Sequence, residues 1–347
     1  MNNNTLKMTL GVSVASLILG AAPVHSQEKH TLKVADTYPV GHPFAEYGIL
    51  VFISEAEKMS NGRITFEHFP SGQMGGASTL PNMTRNGVID ISSVAPAYIP
   101  DQLPMSGVAD LPGLADNSCV ASKALINDML QPGDTLYEAD FKRLELRPLI
   151  AGVIPGYEVM TTSKAITKPA DLTGLSVRSS GGSIDRTVRL LGGSGVAMPA
   201  AEMYESLLRG TVDGTVLGPV SASPYKLEEV ITHSTLGARL GSFTMTYSIG
   251  DRSFNSLPED LQTILVEAGR KATDSLCEAL DRENAASIDE MKLAGVDFFN
   301  IDNAGREDWA NAISPVQEMW VEDMESIGRP GKQALEEYKS AIATIPE

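Results

Sequence analysis

Residues 171–183 have the sequence DLTGLSVRSSGGS, and this stretch decides the fold class. Residues 175–178 are rich in strand-forming side chains and predict a short strand. The glycine pair 181–182 predicts a turn, and residues 184–191 (IDRTVRLL) predict a helix directly after it. A strand that passes through a glycine turn into a helix is the repeating unit of an α/β fold.

Arg178 is the last residue of this predicted strand. Doubly wound sheets bind ligands at the carboxyl ends of their strands. The guanidinium group is always charged and its planar fork matches a carboxylate with two hydrogen bonds. Position alone therefore leaves two interpretations of Arg178, a ligand contact or a surface salt bridge. The following Gly181-Gly182-Ser183 is interpreted as a turn and helix cap in preference to an anion cradle.

The same alternation of strands and helices continues on both sides of this stretch. Parallel sheets follow from it, and 347 residues are enough for two lobes. Further strands are predicted at 31–37, 64–69, 88–92, 149–153 and 212–217, and helices at 43–59 and 200–208, with a short helix that ends at Gly87.

One helix is predicted to be much longer than the others. Residues 258–294 carry apolar residues on one helical face, with Pro258 suited to the first turn and Gly295 to the C-terminal cap. At 1.5 Å per residue the helix would span roughly 55 Å, more than one small lobe. It could brace both lobes, or it could break near Gly269.

The N-terminus has the layout of a secretory signal peptide. Lys7 precedes an apolar run over residues 8–22, and the polar residues 23–26 end in a small residue suited to cleavage after Ser26. An apolar run of about 15 residues is shorter than the roughly 20 that a membrane-spanning helix needs. Residues 1–26 are therefore predicted to be a cleaved signal peptide that directs the protein to the periplasm.

Charge and missing motifs narrow the functional class. With 44 acidic against 27 basic residues the net charge is −17, which argues against nucleic acid and anionic membranes as partners. The sequence contains no HExxH zinc motif, GxSxG elbow, phosphate loop or dinucleotide fingerprint. We expect no metal, no cofactor and no catalytic residues, so the protein is not predicted to be an enzyme. Cys119 and Cys277 fit either one disulfide or two buried thiols.

Several stretches, in the same order, resemble the solute receptors of TRAP transporters, the DctP-like family. They are 32–36 (LKVAD) with His42-Pro43, 60–63 (SNGR), 72–76 (GQMGG) with 87–91 (GVIDI), 171–178 (DLTGLSVR), 202–214 (EMYESLLRGTVDG) with 228–230 (EEV), and 257–262 (LPEDLQ). The resemblance implies a two-lobe periplasmic-binding-protein (Venus-flytrap) α/β fold with the long helix bracing both lobes. Residues 27–152 and about 240–285 would form lobe I, and 153–239 and about 286–347 lobe II.

The resemblance also implies a function. Such a receptor captures a small organic acid, clamps its carboxylate with an arginine in the interlobe cleft, and delivers it to the membrane permease subunits. Arg178 matches the position of that arginine. The receptor is expected to be monomeric, and a periplasmic protein that presents the ligand to a sensor is the alternative.

Departures from the family pattern bear on the ligand. Many members carry a second arginine where this chain has Glu158, so a zwitterion or amine-bearing ligand is an alternative if that side chain faces the cleft. Sialic-acid receptors of the family carry acids and an arginine around the first-lobe loops, where this chain has Gly76, Ala77, Ala95 and Tyr98. This difference favours a small, compact acid of apolar or aromatic character. The predicted ligand-binding residues are Arg178, Tyr38, Tyr98, Glu158, Ser179, Met198, Tyr204, Gly218 and Tyr225.

Overall fold

The computed structural model describes residue 1 and residues 28–346. Apart from residue 1, the predicted signal peptide lies outside the described residues and remains a prediction. The eleven strands of the described part are β1 (His30–Ala35), β2 (Ile64–Phe69), β3 (Ile91–Val94), β4 (Leu146–Ile154), β5 (Glu158–Thr161), β6 (Ser176–Ser179), β7 (Ser194–Ala197), β8 (Gly214–Leu217), β9 (His233–Leu236), β10 (Phe243–Gly250) and β11 (Asp297–Asn300).

The α-helices lie between and after these strands. They are α1 (Leu50–Met59), α2 (Leu80–Arg85), α3 (Ser118–Asp128), α4 (Gly182–Leu190), α5 (Met203–Leu208), α6 (Asp251–Asn255), α7 (Glu259–Leu293), α8 (Asn303–Ile313), α9 (Pro315–Ser326) and α10 (Gly331–Thr344). A π-helical segment (Phe44–Ile49) precedes α1, and a 3₁₀ turn (Pro219–Ser221) follows β8.

Two separate sheets define two lobes. The sheet of lobe I has the strand order β2-β1-β3-β10-β4, and that of lobe II has the order β11-β9-β5-β8-β6-β7. The predicted α/β two-lobe fold is thus confirmed. The sheets are mixed, however, and not purely parallel as the alternating pattern suggested, because β10 runs antiparallel to β3 and β4 and β5 runs antiparallel to β8 and β9.

The antiparallel strands mark the places where the chain crosses between lobes. Residues 155–157 join β4 of lobe I to β5 of lobe II, and residues 237–242 lead from β9 back to β10. Neither crossing contains a helix. Parallel neighbouring strands need a long crossover connection, usually a helix, and these short crossings do not provide one. The two crossings are hydrogen bonded to each other, because the Leu240 backbone amide donates to the Tyr157 carbonyl oxygen at 2.8 Å. Together they form a two-stranded connection at the base of the cleft.

The long helix α7 is continuous over 35 residues, so the alternative of a break at Gly269 is wrong. A Cβ at that position would lie 2.1 Å from the carbonyl oxygen of Leu149, and glycine is needed there because the helix axis approaches β4 closely. The helix packs on α1, α3 and β4 of lobe I and on the Pro219–Ser221 turn of lobe II. It therefore braces both lobes, as the sequence predicted.

The predicted domain limits remain a prediction. Helix α10 lies in the segment assigned to lobe II, yet it packs against α3 of lobe I, where the Tyr338 hydroxyl donates to the Ala121 carbonyl at 3.3 Å. Within the described residues no helix is both long and apolar enough to cross a membrane.

Cys119 and Cys277 form a disulfide between α3 and α7, which settles the two alternatives that the sequence left open. Asp281 of α7 adds a second tie to the same place, since its carboxylate accepts hydrogen bonds from the backbone amides of Ser118 and Cys119 at 2.8 and 3.3 Å. The start of α3 is thereby fixed to the bracing helix.

We predict that the Cys119→Ser/Cys277→Ser double variant loses about 2–5 kcal/mol of unfolding free energy, because a cross-link over 158 residues restricts the unfolded chain. Urea denaturation with and without a thiol reductant measures the loss. The reductant should destabilise the wild type and leave the double variant unchanged; equal stability of wild type and variant would contradict the structural role of the disulfide.

Candidate functional site

Arg178 lies at the end of β6 and points into the space between the lobes. Its side chain is only 1% exposed. Nε and Nη2 donate to the carbonyl oxygen of Met198 at 3.0 and 2.8 Å, and Nη1 lies 3.4 Å from the carbonyl oxygen of Val216. The three hydrogen bonds end on two carbonyl oxygens, so among the described residues no carboxylate neutralises this buried cation.

The guanidinium lines a small cavity between the lobes, whose free volume of about 10 Å³ is no more than one water molecule needs. Both lobes and the crossing between them contribute walls, and most of the side chains are aromatic. The lining residues are Tyr38, His42, Phe44, Tyr98, Ile154, Tyr157, Arg178, Ala200, Leu217, Ser221, Tyr225 and Phe243.

The aromatic rings of the cavity support one another. Phe243 stacks on Tyr157 with centroids 6.3 Å apart and 11° between the ring planes, and it lies 5.4 Å from the ring of Tyr98. Phe44 meets Tyr38 edge to face at 4.8 Å. Such aromatic pairs add about 0.5–1.5 kcal/mol each beyond the area they bury, so the walls are preformed and rigid.

Three phenols of the cavity remain protonated at neutral pH. Burial raises the pKa of Tyr38, Tyr157 and Tyr225 well above the usual value, and Arg178 opposes this shift at Tyr157 and Tyr225. A phenol that keeps its proton can donate a hydrogen bond. The cavity thus combines one fixed positive charge with several hydroxyl donors.

His42 is held in the neutral form at the edge of the same cavity. Its Nδ1 accepts from the Phe44 backbone amide at 3.2 Å, and its Nε2 lies 3.2 Å from Ser221 Oγ. Burial lowers the pKa of His42 to about 3. A ring whose Nδ1 is an acceptor carries its proton on Nε2, which makes Nε2 the donor to Ser221.

We predict that His42 stays neutral in the closed protein down to a pH of about 4. Its pKa in the fold (about 3) is below that of an unfolded histidine (about 6.5). The unfolded chain therefore binds the extra proton first, and stability falls as the pH decreases from about 6.5 towards 3. Nuclear magnetic resonance of the imidazole, assigned with His42→Gln, measures this pKa. A midpoint near 6.5 would contradict the burial of the ring.

The structure places four of the predicted ligand-binding residues around the cavity, namely Tyr38, Tyr98, Arg178 and Tyr225. Met198 is close by, but its contribution is the backbone carbonyl that orients Arg178. Gly218 lies behind the wall, where a Cβ would come within 3.1 Å of the Tyr157 ring. It thus supports the position of Tyr157 without lining the cavity.

Three other predicted residues lie away from the cavity. The Tyr204 hydroxyl donates to Glu229 at 2.8 Å. The Ser179 hydroxyl bonds Asp185 at 3.1 Å at the start of α4. Both have partners of their own, so neither is directed at the ligand space.

Glu158, the third, faces the strand crossing. Its carboxylate accepts from Thr235 Oγ1 at 2.6 Å and from the backbone amides of Gly237 and Ala238 at 2.8 and 3.0 Å. Burial raises the pKa of Glu158, and these hydrogen bonds oppose the increase. The side chain ties β5 to the returning crossing, and it is absent from the cavity lining.

Sequence analysis missed several residues that line the cavity: His42, Phe44, Ile154, Tyr157, Ala200, Leu217, Ser221 and Phe243. His42 and Tyr157 belong to stretches that carry the family resemblance, so their positions were a usable signal. Ser221 follows β8, and Phe243 is the first residue of β10. Only the three-dimensional packing of the chain brings these two residues to the cavity.

Comparison with known proteins shows the family. The family model of DctP, "Bacterial extracellular solute-binding protein, family 7", matches residues 35–323. The C4-dicarboxylate-binding periplasmic protein DctP of Rhodobacter capsulatus is 25% identical over 97% of this chain and 95% of its own. The chain therefore belongs to family 7 of the bacterial extracellular solute-binding proteins.

Solved structures share the fold. A TRAP solute-binding protein from Rhodoferax ferrireducens, crystallised with copurified benzoate, superposes with a TM-score of 0.80 at 24% identity, covering 90% of this chain and 97% of its own. A marine metagenome TRAP solute-binding protein, specific for aromatic acids and bound to 3-hydroxybenzoate, gives a TM-score of 0.84 at 21% identity, covering 92% and 100%. These likenesses show that the chain has the two-lobe fold of these solved structures.

Proposed function

We propose that this receptor captures a small aromatic carboxylate, holds its acid group on Arg178 in the closed cleft, and delivers it to a TRAP permease. Membership of the family supports the coarser statement, that the protein is an extracytoplasmic receptor for small organic acids. The ligand class, the arginine clamp, the periplasmic location after signal-peptide cleavage and the permease partner are our proposal.

The observation that carries the proposal is the unneutralised charge of Arg178. A buried ion without a counterion is costly, and proteins pair such groups. The backbone carbonyls of Met198 and Val216 take three of the five guanidinium N–H donors. One N–H on each of Nη1 and Nη2 is left on a side chain that lines the cavity. A ligand carboxylate would supply the missing negative charge and accept two hydrogen bonds from the planar fork.

The remaining walls favour an aromatic or similarly flat ligand body. The cavity has a free volume of only about 10 Å³, so a ligand has to enter an opened cleft, and a compact acid needs the smallest widening. The stacked and edge-on rings of the cavity complement another ring by the same packing. The two solved relatives whose bound ligands are benzoate and 3-hydroxybenzoate support this choice by analogy.

The same cavity disfavours an amine-bearing ligand. None of its lining residues is Asp or Glu, so an ammonium group would meet Arg178 and hydroxyl groups without a counterion. The oxygens of Glu158, which motivated the zwitterion alternative, are taken by Thr235, Gly237 and Ala238. A heavily hydroxylated sugar acid would leave hydroxyls unpaired against the aromatic walls, at a cost of about 1–3 kcal/mol for each buried group.

Arg178→Ala tests the clamp. We predict a loss of about 2–5 kcal/mol in the free energy of binding benzoate, measured by calorimetry, because the carboxylate would be buried without its partner. The ligand-free melting temperature should hold or rise, since the variant removes an unneutralised buried charge. Arg189→Ala, which removes an exposed arginine paired with Asp185 on α4, is the matched control and should bind as the wild type does. Unchanged affinity in Arg178→Ala would refute the clamp.

A melting-shift comparison tests the ligand class. Benzoate, 3-hydroxybenzoate and (R)-mandelate should raise the melting temperature because they bind the folded state alone. Galacturonate, which is larger and hydroxylated, and 4-aminobutyrate, which carries an ammonium group, should not. Stabilisation by galacturonate or by the amino acid, with none by the aromatic acids, would contradict the proposed class.

A further inference from the structure

Two hydrogen bonds at the rim of the cavity join the lobes directly. His42 of lobe I meets Ser221 of lobe II, with Nε2 and Oγ 3.2 Å apart. The backbone amide of Ala200, in lobe II, donates a hydrogen bond to the hydroxyl oxygen of Tyr98, in lobe I, at 3.1 Å. All four residues line the cavity, so the contacts that close the lobes share their atoms with the ligand site.

The proton of each hydroxyl is directed by these contacts. The Phe44 amide occupies His42 Nδ1, so the proton on Nε2 is donated to Ser221 Oγ. Ser221 then acts as acceptor from His42 and keeps its own proton for another acceptor. The Tyr98 oxygen accepts from Ala200 in the same manner. The described residues show no acceptor for either hydroxyl proton, and both residues border the cavity.

The surroundings of His42 keep this arrangement in one state. Its ring lies against Tyr38 (centroids 4.8 Å apart), Phe44 (5.1 Å) and Tyr225 (5.7 Å). The titratable groups that face the His42 ring are the neutral phenols of Tyr38 and Tyr225. His42 itself is 1% exposed. Neither a carboxylate nor solvent is present at the ring to favour the charged form, which would offer a second N–H to the Phe44 amide and break that contact.

We propose that His42 and Ser221 form a closure latch that turns the Ser221 hydroxyl into a hydrogen-bond donor to the bound acid. This inference rests on the proposed function and extends it. His42 is a positioning residue, since it acts through Ser221 and not on the ligand. The latch exists only when the lobes meet, so closure itself completes the set of donors around the ligand.

Such a latch has a distinct kinetic consequence. The open cleft lacks the His42–Ser221 contact, so the first encounter of ligand with Arg178 does not depend on it. Release requires the lobes to part and the contact to break. Loss of the latch therefore raises the dissociation rate and leaves the association rate unchanged, whereas damage to the general fold would also lower the melting temperature of the ligand-free protein.

His42→Phe and Ser221→Ala test the latch in the full-length mature protein, with 3-hydroxybenzoate and benzoate as probes and stopped-flow fluorescence as the readout. Each variant should raise the dissociation rate about threefold to tenfold, the effect of one net hydrogen bond. His42→Gln, whose amide can accept from Phe44 and donate to Ser221, should recover part of the wild-type rate. His233→Phe and Ser223→Ala make the same changes outside the cavity and should leave the rate unchanged.

The double variant separates a latch from two independent effects. If both residues act through one hydrogen bond, His42→Phe/Ser221→Ala dissociates no faster than the faster-dissociating of the two single variants, and the two effects do not multiply. Multiplicative effects, or unchanged dissociation in both single variants while Arg178→Ala still abolishes binding, overturn the latch and leave the proposed function intact.

A wild-type protein that binds neither aromatic acid contradicts the proposed function instead. The latch is then tested without a binding assay, by measuring the nitrogen chemical shifts of the His42 imidazole with nuclear magnetic resonance. A neutral ring with its proton on Nε2, perturbed by Ser221→Ala, supports the latch. A ring that exchanges freely between tautomers and ignores Ser221→Ala overturns it.

Discussion

The structure is organised around a positive charge that the protein buries and does not neutralise. Arg178 is almost completely enclosed, and the protein atoms recorded against its guanidinium are backbone carbonyl oxygens. In a chain with a net charge of −17, acidic side chains are abundant, so their absence from the cavity lining is a property of the site. A charge kept in a low-dielectric space attracts an anion strongly once water is excluded, and the closing lobes supply that exclusion.

In the proposed mechanism the lobes open and close around this charge, and the rest of the fold suits such a motion. The chain passes between lobes at residues 155–157 and 237–242, and these crossings are held together by Glu158 and by backbone hydrogen bonds. The single helix α7 runs along both lobes, and the disulfide fixes α3 to it. Such a frame constrains the lobes to a hinge-like motion about the crossings. His42 and Tyr98 each form a hydrogen bond to a cavity residue of the opposite lobe.

Much of this architecture follows from the sequence. Local patterns were sufficient for the strand–turn–helix around Arg178 and for the limits of the long helix. The two-lobe class was predicted from the chain length and the family resemblance. Local patterns could not reveal that the sheets are mixed, because β5 and β10 owe their direction to the crossings and not to their own residues. Strand β3 lies later than predicted, at Ile91–Val94 in place of 88–92, since residues 86–90 are used in the turn after α2.

The site was less accessible to sequence reasoning. Arg178 and the tyrosines at 38, 98 and 225 could be named because they follow strands or belong to loops at the expected edge. The orientation of Glu158 could not be read from its position: Tyr157 and Glu158 are adjacent, and alternation along the strand sends one towards the cavity and the other into the crossing. Ser221 and Phe243 lie beside His42 and Tyr157 through contacts between distant parts of the chain, which local patterns do not reveal.

The most direct measurement of the central claim is a crystal structure of the protein with a bound aromatic acid. The account predicts that both carboxylate oxygens lie about 2.7–2.9 Å from guanidinium nitrogens of Arg178, with the ring between the aromatic walls. A complex in which the acid group is bound elsewhere, with Arg178 still facing only the carbonyls of Met198 and Val216, would contradict it.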